Sequence, residues 1–123
     1  MMKKVVLIKG DDRYKNIKEA LSILKEDLKE KIKRKKKILI KPNLVSARVA
    51  LSSTHVDALR AVLDFLSSLT SQKIIVAEGT AEGETFEAFE NYGFLKLKEK
   101  YNIEFVDLNK DKYEEFELSL IHI

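Results

Sequence analysis

Three short apolar runs in this chain each end abruptly in a polar cluster. Ile38-Leu39-Ile40 leads into Lys41-Pro42-Asn43, Ile74-Ile75-Val76-Ala77 into Glu78-Gly79-Thr80, and Ile103-Glu104-Phe105-Val106 into Asp107-Leu108-Asn109. Runs of this length, rich in β-branched residues, read as strands. A fourth run, Val5 to Lys9, precedes the turn Gly10-Asp11-Asp12 and predicts a first strand. Between the strands the period lengthens. Ile17, Leu21, Leu24, Leu28 and Ile32 recur at helical spacing, widened by Ala20 and Ile23, which predicts one amphipathic helix over residues 14–34. Val56, Leu59, Val62, Leu63 and Leu66 form the apolar stripe of a second helix, which the polar stretch from Ser67 to Ser71 ends. Ser52-Ser53-Thr54 marks its start, with Thr54 and Asp57 in the spacing of a capping box. Phe86 and Phe89 open a short helix that closes at Tyr92-Gly93, where glycine suits a left-handed cap. Phe94 to Tyr101 reads as one more helical segment, and Tyr113 to Ile123 as a fifth strand or hairpin arm.

Strands separated by crossover helices imply a largely parallel sheet with right-handed connections. The expected fold is therefore α/β, three-layer and Rossmann-like, with an extra edge strand at the C-terminal end. Ile38 to Ile40 show no alternation, which predicts burial on both faces. The 123 residues suffice for one domain spanning 1–123. The strand-like finish Ser119-Leu120-Ile121-His122-Ile123 presents an edge that invites pairing with a second copy or a partner chain.

Composition narrows the function classes. No cysteine is present, which excludes a disulfide, a thiolate-bound zinc and an iron–sulfur cluster within this chain. No apolar stretch approaches the roughly 18 residues of a membrane span, and the N-terminal run is too short for a signal-peptide core. A cytoplasmic protein is expected. Lysine and glutamate dominate the charged residues, as in many thermophile proteins. The net charge is +3, with most of the excess between Lys29 and Lys41. A basic patch can hold phosphates, but no aromatic residue interleaves this one as single-strand binding requires. It reads as a solvated helix end favoured by the helix dipole.

In open α/β sheets, ligands bind outside the carboxyl ends of the strands, and the three polar clusters would converge there. Lys41, held between a strand and Pro42, suits a carboxylate or phosphate, or a salt bridge to Glu78. Asn43 can orient a ligand or close an Asx turn. Ser53, Thr54 and His55 lie at a helix start, where free amides favour anions, and His55 is a candidate proton donor or acceptor. Glu78 and Asp107 are candidate carboxylates on neighbouring strand ends, able to serve as a base or to pair with Lys41 and other lysines. Gly79 opens the loop to Glu84, which matches neither the phosphate-loop nor the dinucleotide pattern. No metal site is assigned and no cofactor is identified.

These residues also carry a family resemblance. Ile38 to Val45, Thr54-His55 with Ala58 to Leu63, Ile74 to Gly79 with Thr85, Ala88-Phe89 and Gly93-Phe94, and Val106 to Asn109 resemble, in order, four blocks of the domain of unknown function 362 family. The resemblance is clearest over residues 37–112. Val56 stands where the family usually has proline after Thr-His, and Ala77-Glu78 where Gly-Asp is frequent. Family members are usually longer, some with a cysteine-rich ferredoxin-like segment, so the resemblance implies correspondence to an N-terminal portion. The leading functional expectation is a strand-end pocket for a small anionic ligand, with proton-transfer or redox-linked chemistry. An assembly module pairing through its terminal strand, and nonspecific nucleic-acid binding through Lys29 to Lys41, are the alternatives.

Overall fold

The computed structural model describes residues 3–115. Two helices come first, α1 (Arg13–Ile23) and α2 (Lys25–Ile32), followed by β1 (Ile38–Ile40), α3 (Val56–Ser67), β2 (Ile74–Glu78), α4 (Thr85–Asn91) and β3 (Ile103–Asp107). Short 3-10 turns cover Ala50–Ser52, Leu95–Glu99 and Leu108–Lys110. The sheet order is β1-β2-β3 and both pairings are parallel. This is the α/β, Rossmann-like arrangement that the alternation of runs implied, but the third layer expected is not seen among the described residues, because both crossover helices pack on one face of the sheet.

Two crossovers of one hand, taken in the same direction along a sheet, place both helices over the same face. Burial agrees. Ile38, Ile40, Ile74, Val76, Ile103 and Phe105 share one cluster with Leu59 and Leu63 of α3 and with Ala88 and Phe89 of α4. The opposite face carries Leu39, Ile75 and Glu104 in register, and Leu39 is 55 % exposed. The expectation that β1 is buried on both faces is thus corrected. A three-residue apolar run cannot distinguish a central strand from an edge strand, because both begin and end in turn residues.

The end of α4 shows how local sequence sets the packing. Gly93 has φ +78°, Phe94 N–H donates to the Phe89 carbonyl, and Gly93 N–H to that of Glu90. This is a Schellman cap, and its usual hydrophobic contact is the stacked pair Phe89 and Phe94. Phe89 also meets Phe105 of β3, with ring centroids 4.8 Å apart.

The N-terminal part departs from the pattern its sequence predicts. Val5 to Lys9 belongs to no strand or helix, with Val5 94 % and Leu7 92 % exposed. A β-prone run becomes a strand only when a neighbour completes its ladder, and none does so among the described residues. The single helix expected over 14–34 is interrupted at Leu24, with ψ near 5°. Ser22, two residues before, donates its hydroxyl to the Lys18 carbonyl, a back-bond that bends helices. Asp12 caps α1 by accepting from the Lys15 amide. α1 is fastened to α3 through Asp64, whose carboxylate accepts the hydroxyls of both Tyr14 and Tyr101. Burial pulls the Asp64 carboxyl upward, but these hydroxyls with Lys100 and Lys18 outweigh it and hold it below the ordinary value. The fifth strand expected over residues 113–123 lies mostly outside the described residues, and Tyr113 to Glu115 are irregular.

Candidate functional site

All the buried polar residues of the described core gather at one place. Ser46, Glu78, Thr80 and Asp107 lie at the carboxyl ends of the strands or in the loops that follow them, and Thr85 is the first residue of α4. Glu78 and Asp107 are opposite each other in the β2–β3 register. Two adjacent buried carboxylates stay compatible only if each has its own donors, and each has. Glu78 Oε2 accepts from the Leu44 amide and from Lys41 Nζ, both at 3.0 Å, and Oε1 accepts from the Gly79 amide at 2.8 Å. Burial raises the Glu78 carboxyl, but the Gly79 and Leu44 amides and the Lys41 ammonium together hold it below its ordinary value. Asp107 Oδ1 accepts from the Thr85 hydroxyl and the Asn109 amide, both at 2.9 Å.

The sequence folds this way because β1 stops at Lys41-Pro42 and the chain then crosses over the ends of its neighbours. The Leu44 amide reaches Glu78, the Ala47 amide reaches the Glu82 carbonyl, and the Ala81 and Glu82 amides reach the Val45 carbonyl. Tyr92 donates its hydroxyl to the Ser46 carbonyl. Gly79 approaches Asn109 closely: a Cβ there would stand 2.5 Å from Asn109 Oδ1, so the Asn109 side chain would have to shift. Asn109 Nδ2 in turn donates to the Thr80 carbonyl. Thr80 is 4 % exposed, and its hydroxyl oxygen has no hydrogen-bond partner among the described residues.

The rim above this floor holds the other candidates. Lys41 and Asn43 are exposed, Ser53 and Thr54 half-buried, and His55 exposed. Thr54 does not cap α3. Its hydroxyl accepts from the Asn43 amide and its own amide donates to the Asn43 carbonyl. The cap is His55, whose Nδ1 accepts from the Asp57 amide at 3.0 Å, so the expected capping box is corrected. The physical reason is that Asn43 draws Thr54 back across the loop, which leaves the next residue to meet the first free amides. Neutral His55 therefore carries its proton on Nε2 and presents a donor to solvent. Ser53 donates to the Ser46 carbonyl at 3.4 Å. Asn43, Val45, Leu51, Ser52, Ser53 and Thr54 line an open hollow of about 510 Å³.

A narrower hollow of about 380 Å³ lies at the opposite end of the sheet, lined by Glu26, Lys29, Glu30, Ile32, Lys33, Leu69, Thr70 and Gln72. It adjoins the basic segment, and its two lysines share the lining with two glutamates. No group of three or more histidine, aspartate or glutamate side chains is placed to hold a metal ion among the described residues. No described helix is long and apolar enough to cross a membrane.

The sequence pattern points to Lys41, Asn43, Ser53, Thr54, His55, Glu78, Gly79 and Asp107, and the fold brings all eight to the carboxyl end of the sheet. Thr80 and Asn109, which close two of the polar clusters without being among those eight, belong to the same place, as do Ser46 and Thr85. Thr85 stands out in the sequence only through the family resemblance, and nothing local announces that its hydroxyl bridges the Thr80 amide to Asp107. A family model described as "Domain of unknown function (DUF362)" matches residues 38–122. No curated protein and no solved structure matches the chain.

Proposed function

Because the chain belongs to the domain of unknown function 362 family, we propose that its strand-end rim binds a small anionic ligand, a carboxylate or a phosphate. The observation that carries this reading is the Lys41–Glu78 pair. The carboxylate is buried and shared with two amides, whereas the Lys41 side chain is half exposed. An ammonium tethered at 3.0 Å to a fixed oxygen keeps two further N–H donors, which have no partner among the described residues and can meet an anion. Holding the donor in place before binding lowers the ordering cost of recognition. Asn43 supplies an amide beside it, Ser53 and Thr54 line the adjoining hollow, and His55 adds the Nε2 donor. Gly79 and Asp107 support the floor.

Glu78 acts in this reading as the group that orients Lys41, since both of its oxygens are already engaged. His55 is the one candidate for proton transfer, as a donor through Nε2. The test is thermal unfolding against phosphate, small carboxylates, nucleotides and divalent ions, each variant referred to its own ligand-free midpoint. A ligand that binds only the folded state adds about 2.7 kcal/mol at a hundredfold excess over Kd. The wild type shifts with anions, and Lys41→Ala and Asn43→Ala shift far less. Equal shifts in wild type and Lys41→Ala, or none in the wild type, would overturn the reading.

A further inference from the structure

The open hollow at the rim changes character along its length. Leu44 and Ser53 form an antiparallel bridge, which sets Asn43 against Thr54. Those two residues are joined twice, by the Asn43 amide on the Thr54 hydroxyl and the Thr54 amide on the Asn43 carbonyl. This end is polar. The Thr54 hydroxyl accepts one bond and keeps its own proton to donate. Lys41 reaches the same end, because its ammonium and the Leu44 amide are held on one oxygen of Glu78. Past Leu44 the lining turns apolar. Val45 is 45 % exposed and Leu51 is fully exposed, while Leu44 itself packs in the core.

We infer that the anion taken by this rim is a monocarboxylate with a short apolar tail, its head at Lys41 and Thr54 and its tail over Val45 and Leu51; the inference rests on the rim binding an anion at all. Charge selects the head. The Lys41 ammonium is already shared with the Glu78 carboxylate, 3.0 Å away. The pair leaves little positive charge to balance a phosphate dianion, whereas a carboxylate is a single charge with two oxygens for the Lys41 and Thr54 donors. The lining selects the tail. Small-molecule sites combine apolar walls with a few placed polar groups, and here the two kinds of lining lie at opposite ends of one hollow of about 510 Å³. Two residues reach at most roughly 7 Å along the chain, so Asn43 and Val45 bracket a tail of a few carbons. Fully burying one methylene strengthens binding about fourfold. An open hollow covers one side of the tail, so about twofold per methylene is expected.

The experiment is an NMR titration of the full chain with acetate, butanoate, hexanoate, phosphate and hexan-1-ol at constant ionic strength. Hexanoate binds about sixteenfold tighter than acetate, and tighter than phosphate or the uncharged alcohol. The measure is the hexanoate-to-acetate ratio within each protein. Leu51→Ser and Val45→Ser bring that ratio toward one, and both side chains are exposed, so circular dichroism and melting stay those of the wild type. Lys41→Ala weakens all the carboxylates and keeps the ratio. Carboxylates that bind with no dependence on chain length overturn the inference and leave the anion reading standing. That is also the outcome if chain outside residues 3–115, or a second copy, already lies over the hollow. A wild-type ratio retained in both serine variants, phosphate tighter than hexanoate, or hexan-1-ol as tight as hexanoate, overturns it equally. Binding of no anion at all removes both readings together.

Discussion

Replacing Glu78 with glutamine tests how the strand ends are held together. The carboxylate receives three donors, two on Oε2 and one on Oε1. Glutamine offers one acceptor oxygen. Leu44 is 1 % exposed, so that oxygen stays with the Leu44 amide and the new NH2 group is turned toward the Gly79 amide, donor against donor. A hydrogen bond to a charged group contributes about 1.5–3 kcal/mol, and a buried donor left without an acceptor costs about 1–3 kcal/mol. Since these overlap, Glu78→Gln is expected to lower stability by about 2–4 kcal/mol near neutral pH. The pH dependence follows from the carboxyl being held below its ordinary 4.5 in the folded protein. Its contribution is complete above 4.5 and is lost as pH falls through the lower, folded value. Protonated Glu78 resembles glutamine, so the gap between the two proteins closes in acid. Urea unfolding at a series of pH values from neutral downward measures both. A variant within about 0.5 kcal/mol of wild type at neutral pH, or a gap that does not narrow in acid, would show that the carboxylate does not hold these loops.

Two further comparisons address the core and the loop geometry. Phe89→Ala empties a fully buried site against Phe94 and Phe105 and lowers stability by about 3–5 kcal/mol in the same assay. Gly93 and Gly83 both have positive φ, but a Cβ at Gly93 meets nothing within 4 Å whereas one at Gly83 stands 2.8 Å from Ala47 Cβ. Gly93→Ala therefore carries only the left-handed backbone cost of about 1–2 kcal/mol. Gly83→Ala adds a steric conflict with the loop and loses more. Equal losses in urea unfolding would show that backbone strain alone governs both.

Local pattern is enough to give this chain its elements and to mark the end of the sheet where the polar residues meet. Apolar runs of three or four residues, each closed by a polar cluster, produce β1, β2 and β3 nearly to the residue, because a strand's length and its exit are short-range properties. Gly93 announces the cap of α4 for the same reason: only glycine enters the left-handed region without a Cβ penalty. Parallel order then carries every strand exit to one side, so Lys41, Glu78 and Asp107 had to be near one another.

What those residues touch is settled in three dimensions. Glu78 is saturated by the amides of Leu44, 34 residues earlier, and of adjacent Gly79, and by a lysine from the end of the neighbouring strand. Thr54 is taken from the cap of α3 by Asn43, which lies 11 residues before it. Both outcomes depend on how one loop crosses another, which no local pattern encodes. Val5 to Lys9 shows the same limit from the other side. Its composition is that of a strand, but a strand exists only when a neighbour supplies the other half of its hydrogen bonds, and that neighbour is set by tertiary assembly.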